Sequence, residues 1–168
     1  FSSRGRLEEG YYLEGEEIWR CFGGRRERLL PVKDMKLIGI HNYENVMAAI
    51  AVSAAFGVPM EHILSVVKTF PGVEHRIEFV ADKKGVLYYN DSKATNPDAA
   101  IRGIRAMSRP TILIGGGYDK ENTYDQWIES FEGRVKLLVL IGQTKEKIAA
   151  CARKHGMNAI AMAESFEE

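Results

Sequence analysis

Eleven residues, NDSKATNPDAA from Asn90 to Ala100, crowd two carboxylates, two hydroxyls, an ammonium and two amides into one stretch, directly after the apolar GVLYY. Lys93 and Thr95 can neutralise and donate to an anion. Asn96 is a favoured helix N-cap and Pro97 suits the first helical position. The free amides of that first helical turn, beside Lys93 and Thr95, would form a site for a carboxylate or phosphate. A second loop, GGGYDK from Gly115 to Lys120, adds another cation in Lys120. Two plainer readings stand beside this one. Asx and Ser/Thr side chains also fill loops to satisfy backbone groups, and loop lysines are commonly just solvated. The Gly115-Gly116-Gly117 run either cradles phosphate or makes a tight turn, and it lacks the GxxxxGK[ST] pattern of a phosphate loop.

The elements that must position these residues follow from hydrophobic periodicity. RIEFVA and GVLYYN read as strands around a Lys83-Lys84-Gly85 turn. After them come a helix over 97–107, a strand (TILIG), a helix over 124–131, a strand (KLLVLIG), a helix over 144–155 and a last strand (NAIAMA). The strands at 110–115 and 136–141 are almost wholly apolar, the pattern of strands buried on both faces. Strands alternating with helices predict an α/β fold with a doubly wound, mostly parallel sheet. Ligands of such sheets bind outside the carboxyl ends of the strands. The ends of GVLYY, TILIG and LLVLIG are therefore expected along one edge, with NDSKATNP, GGYDK and GQTK projecting from it.

Upstream the pattern differs. YYLEG, EEIWRCF and GGRRERLLPV, punctuated by Gly15 and Gly23-Gly24, predict a small antiparallel ribbon. HNYENVMAAIAVSAAFGVP then predicts a helix that buries Val46, Ala49, Ile50, Ser53 and Ala54 and stops at Gly57 and Pro59. A shorter helix over 61–70 ends at Pro71-Gly72. A domain boundary is expected near Pro71–Glu74, dividing 1–72 from 73–168.

Bulk properties exclude several classes. The 23 basic residues are matched by 23 acidic ones, without the basic surplus of a nucleic-acid binder. No apolar run approaches the ~18 residues that cross a bilayer, and the polar FSSRGRLEEG start is no signal peptide. A cytoplasmic compartment is expected. Cys21 and Cys151 lack metal-type spacing and read as two reduced thiols. His62, His75 and His155 offer no constellation. With no initiator Met and an end inside AMAESFEE, the chain reads as a piece of a longer protein.

HNYEN at 41–45, EHRIEFV at 74–80, NDSKATNP at 90–97 and GGGYDK at 115–120 together resemble the Mur ligase family, in the family's order and at plausible spacings. The DSKATN form is similar to that of the family's D-glutamate-adding branch. The resemblance covers nearly the whole chain. It implies a three-domain, ATP-dependent, ADP-forming ligase of cytoplasmic peptidoglycan synthesis. In that chemistry the carboxylate of UDP-N-acetylmuramoyl-L-alanine becomes an acyl phosphate, which the amine of D-glutamate attacks. Residues 1–72 would finish the α/β ATPase central domain, and 73–168 would be most of the Rossmann-like C-terminal domain.

By the same resemblance, Asn42 and Asn45 fall near the adenine, Arg76 at the nucleotide phosphates and Asp91 at the ribose hydroxyls. Lys93, Thr95 and Lys120 fall near the incoming amino acid and the reacting phosphate, with both lysines in a catalytic role. His41, which begins its motif, reads as a packed or capping residue. ATP and Mg2+ are the implied cofactors, with the metal ligands mainly outside this chain. The implied partners are small-molecule substrates met by a monomer, with neither nucleic acid nor membrane insertion. The chain holds no GxxGK[ST] phosphate loop, so it is expected not to catalyse ligation alone. Two alternatives are a sister Mur-type or folylpolyglutamate-type ligase, and a non-catalytic nucleotide-binding module.

Overall fold

In the computed structural model, which describes residues 1–166, the chain divides into two compact units, Phe1–Asn90 and Asp91–Glu168. The first opens with an antiparallel meander of β1 (Gly10–Glu14), β2 (Glu17–Phe22) and β3 (Arg25–Pro31). The β2–β3 turn is made by Gly23 and Gly24 at φ 56° and 75°. Two successive positive φ values match the right-handed strand twist, which is why a glycine pair occurs there. One face of the ribbon carries Arg26, whose Nε donates to the Tyr12 hydroxyl at 2.8 Å and whose guanidinium lies 4.8 Å from the Trp19 ring.

The other face packs on two helices, α1 (Ile40–Ala55) and α2 (Met60–Thr69). Tyr11, Ile18, Leu30, Val46, Met47, Ile50 and Ile63 form the core of this unit. The α1 face is rotated from the one expected. Asn42, Val46, Met47 and Ile50 are its buried residues, while Ala49 is exposed. Met47 fills volume against the ribbon that alanine cannot, so burial follows the larger side chain.

A hairpin of β4 (Glu78–Lys83) and β5 (Val86–Asn90) follows, reversed at Lys84 and Gly85 with φ 54° and 81°. It is a separate two-stranded sheet. GVLYY is therefore not a member of the parallel sheet, and the expected row of three strand ends reduces to two. The two-residue turn lets these strands satisfy each other at the lowest cost in loop closure.

The second unit holds a three-stranded parallel sheet in the order β6 (Thr111–Gly116), β7 (Val135–Ile141), β8 (Ile160–Ala163). Its helices are α3 (Pro97–Arg105), α4 (Asp125–Glu129) and α5 (Lys145–Lys154). Leu138, Leu140, Ile148, Ala149 and Ala152 are wholly or almost wholly buried, with Ile104, Trp127 and Phe131 around them. The strands are not buried on both faces as their composition predicts. Ile112 and Ile114 are 52% and 58% exposed, while the intervening Leu113 packs on the core.

Candidate active site

The NDSKATNP loop leads from β5 into α3. Ala94 N donates to the Asp91 carbonyl at 2.8 Å and Thr95 N to the Lys93 carbonyl at 2.9 Å, so the loop is built of consecutive tight turns. Asn96 caps α3 as expected, its Oδ1 accepting from Ala99 N at 2.9 Å, with Pro97 at the first helical position. That cap changes the expected anion site. Pro97 has no N–H, the amide of Ala99 is taken by the Asn96 side chain, and that of Ala100 donates to the Asn96 carbonyl at 3.1 Å. The helix end is largely satisfied by its own cap. Of the first-turn groups this leaves the Asp98 amide, so attraction for an anion would come chiefly from the exposed side chains of Lys93 and Thr95.

Asp91 is half-buried. A Cβ placed on Gly103 would lie 2.4 Å from its Oδ2, so its carboxylate rests against the bare backbone of α3. Gly103 is the residue that admits it. A glycine inside a helix is costly enough to flag a close approach, and this was the available signal in the sequence.

The GGGYDK loop leaves β6 beside the end of β7. Gly117 N donates to the Ile141 carbonyl at 3.0 Å, and Thr144 N to the Gly117 carbonyl at 3.1 Å. A Cβ on Gly116 would lie 1.9 Å from the Ile141 carbonyl oxygen, and one on Gly142 would meet Gly117 at 3.0 Å. The glycine run thus serves to bring two loops into backbone contact at the carboxyl edge of the sheet. Asp119 fixes the tip: its Oδ1 accepts from Glu121 N at 2.8 Å, and Lys147 Nζ approaches both its oxygens at 3.2 Å. The Glu121 amide, then the Lys147 ammonium, hold the Asp119 carboxyl below its ordinary range. Lys120, next to this anchor, is exposed.

In the first unit, the side chain of Asn42 is buried, and its Nδ2 donates to the Ile38 carbonyl at 2.8 Å. This commits one half of the amide to the entry of α1. Asn45, one turn on, is exposed. Arg76 is exposed on the segment before β4, between His75 and Ile77, which both hold positive φ (64° and 47°). For a β-branched residue that conformation costs on the order of 1–3 kcal/mol. Its surroundings brace it: His75 N donates to Glu78 Oε2 at 2.8 Å, and the His75 ring contacts Asn90 Nδ2 at 2.9 Å.

The structure corrects one reading of the histidines and cysteines. His155 does join a constellation, with Asp125 and Cys151. A sulfur donor is ill-suited to magnesium, so this cluster does not fit the ion implied for the ligase chemistry.

The parallel sheet, the loops at its carboxyl edge and the capped α3 define a Rossmann-like α/β domain. A family model described as "Mur ligase, glutamate ligase domain" matches residues 75–168, and the chain belongs to this family. UDP-N-acetylmuramoylalanine–D-glutamate ligase of Lachnospira eligens is 53% identical over all 168 residues, and its counterpart in Lachnoclostridium phytofermentans is 49% identical. In both cases the chain spans 37% of the relative's length. Among solved structures, the UDP-N-acetylmuramate-alanine ligase of Thermotoga maritima superposes with a TM-score of 0.68, at 18% identity, over 92% of this chain and 37% of that one. A folylpolyglutamate synthase from the same organism gives 0.63 at 20% identity, over 89% and 36%. These structural likenesses speak for the fold.

Proposed function

We propose that the chain is part of a cytoplasmic ATP-dependent, ADP-forming amide ligase that adds D-glutamate to UDP-N-acetylmuramoyl-L-alanine. The observation that carries this reading is the 53% identity across the entire chain to a relative bearing that activity in its name. The DSKATN loop, the point of resemblance to the D-glutamate-adding branch, supports it.

Within this reading each residue has a chemical task. Asn45 and the Oδ1 of Asn42 pair with the adenine edge, as an amide can both donate and accept. Arg76 offers a forked donor to phosphate oxygens. Asp91 accepts from the ribose hydroxyls. Lys93 and Lys120 neutralise the carboxylates of D-glutamate and the charge that builds on the transferring phosphoryl group, and Thr95 orients the amino acid. Magnesium would supply further charge neutralisation through residues outside this chain. The proposed domain boundary stays at residues 72 and 73. The family match starting at 75 favours it, although the hairpin at 78–90 groups with the first compact unit.

The test is ADP release by the full-length protein. It should require both UDP-N-acetylmuramoyl-L-alanine and an amino acid, with D-glutamate preferred over L-alanine and diaminopimelate. Preference for either of the others would replace this reading with a sister ligase. The 168-residue chain alone should release no ADP, and D-glutamate-dependent release by it would overturn the division of labour.

A further inference from the structure

Apart from the loops at the carboxyl edge, the second unit carries a cluster with no part in the proposed ligation. Asp125 opens α4, and Glu129 lies one turn along the same helix. Cys151 and His155 lie one turn apart at the end of α5, with His155 as its C-cap. His155 Nε2 is 2.9 Å from Asp125 Oδ1, and its Nδ1 is 3.7 Å from Glu129 Oε1. One ligand atom from each of Asp125, Cys151 and His155 lies within 4.8 Å of the other two. We propose that Asp125, Cys151 and His155 form a binding site for a borderline divalent transition metal such as Zn2+, clamping α4 to α5.

The donor set decides the class of ion. One thiolate, one imidazole and one carboxylate suit zinc or cobalt, whereas magnesium and calcium take oxygen ligands alone. In a tetrahedral zinc site, bonds of about 2.3 Å to sulfur and about 2.0–2.1 Å to nitrogen and oxygen place ligand atoms roughly 3.3–3.7 Å apart. Here His155 Nε2 and Asp125 Oδ1 stand 2.9 Å apart and all three ligand atoms lie within 4.8 Å of one another, a range that brackets that spacing. Water takes the fourth position. With Nε2 on the metal, the remaining His155 Nδ1–H faces Glu129, the outer carboxylate that commonly orients a metal-bound imidazole.

The surrounding charges act in both directions. Hydrogen bonds from His155, then Lys154, hold the Asp125 carboxyl at about 2, so it is an anion throughout the neutral range. Lys154 Nζ, 3.1 Å from Asp125 Oδ1, is the one cation among the groups described at the site that opposes a metal. Its side chain is 73% exposed, so it can swing into solvent. Burial, followed by the Asp125 charge, pushes the Cys151 thiol up. As the metal–sulfur bond forms, the thiol proton passes to buffer, and the cation offsets the Asp125 field.

Titration of the reduced, metal-free chain with Co2+ tests the site. Binding should give visible ligand-field bands of tetrahedral cobalt together with near-ultraviolet thiolate-to-cobalt charge transfer, and Zn2+ should bleach both. Cys151→Ser should abolish the charge-transfer band, while Cys21→Ser, removing the buried thiol of the first unit, should leave it. His155→Ala should weaken binding at least tenfold, and Glu129→Gln by about tenfold, the usual cost of losing an outer partner. Retention of circular dichroism by each variant separates ligand loss from misfolding. No charge transfer from the parent chain in excess cobalt would overturn the proposal. So would a band that persists in Cys151→Ser.

Discussion

Replacing Gly103 with alanine sets a backbone preference against a side-chain contact. Gly103 lies inside α3, where alanine should favour the helix by roughly 0.5–1 kcal/mol. The new Cβ, however, would meet Asp91 Oδ2 at 2.4 Å and its Cγ at 3.5 Å. Ordinary contact begins near 3.4 Å, so the carboxylate oxygen must retreat by about 1 Å. That displacement should cancel most of the helix gain, leaving urea-unfolding stability within a few tenths of a kcal/mol of the parent. It should also misplace the group assigned to the ribose. Loss of one hydrogen bond to a charged partner is worth about 1.5–3 kcal/mol, so ATP affinity of the full-length protein should fall at least roughly tenfold. A double-mutant cycle sharpens the test. In an Asp91→Ala background, Gly103→Ala should recover the whole helix gain, and nucleotide affinity should not fall further. If Gly103→Ala stabilises the otherwise unchanged protein by the full amount and leaves ATP binding intact, the contact does not position Asp91.

Other outcomes follow from the same geometry. Asn96→Ala removes the cap of α3 and should cost about 1 kcal/mol in chemical denaturation, whereas Asn96→Asp should keep most of it. Gly116→Ala puts a methyl group 1.9 Å from the Ile141 carbonyl at a φ of 129°, and should cost more than about 3 kcal/mol or prevent folding, read by thermal melting. Asp119 has a folded pKa below its ordinary 3.8, so its contribution to stability is present above that value and is lost as pH falls through the lowered one. Lys147→Met should shrink this acid-side loss, measured as the change in urea midpoint above and below pH 3.8. In the full-length protein, Lys120→Ala should lower ligation more than ATP binding, which separate rate and binding measurements would distinguish.

What could be read from the sequence was mostly local. Asn96-Pro97 announced a helix start because capping chemistry depends on adjacent residues alone, and the Lys84-Gly85 reversal was legible for the same reason. Partner choice was not. The short apolar run of GVLYY reads the same whether the strand joins a parallel sheet or pairs with its own neighbour. The unbroken apolar run of TILIG is likewise silent on whether one face or both are covered, and Ile112 and Ile114 came out exposed. The residues of the proposed site are spread over several elements, and family resemblance, not periodicity, is what assigns them roles. Neither route found the carboxylate of Asp91 resting on Gly103, nor His155 and Cys151 meeting Asp125 across two helices, since such contacts depend on how separate elements pack.

The chain has two tryptophans, one in each compact unit, in contrasting surroundings. Trp19 lies half-buried beneath the Arg26 guanidinium on the ribbon. Trp127 is 6% exposed, edge-on to Phe131 with ring centroids 5.4 Å apart, and its indole N–H has no hydrogen-bond partner among the described residues. An indole in so dry a setting emits at short wavelength, and one beside a cation and water emits further to the red. Trp19→Phe and Trp127→Phe would each leave a single fluorophore reporting on one unit. The same protein in one cuvette then reveals whether its halves melt together or one after the other.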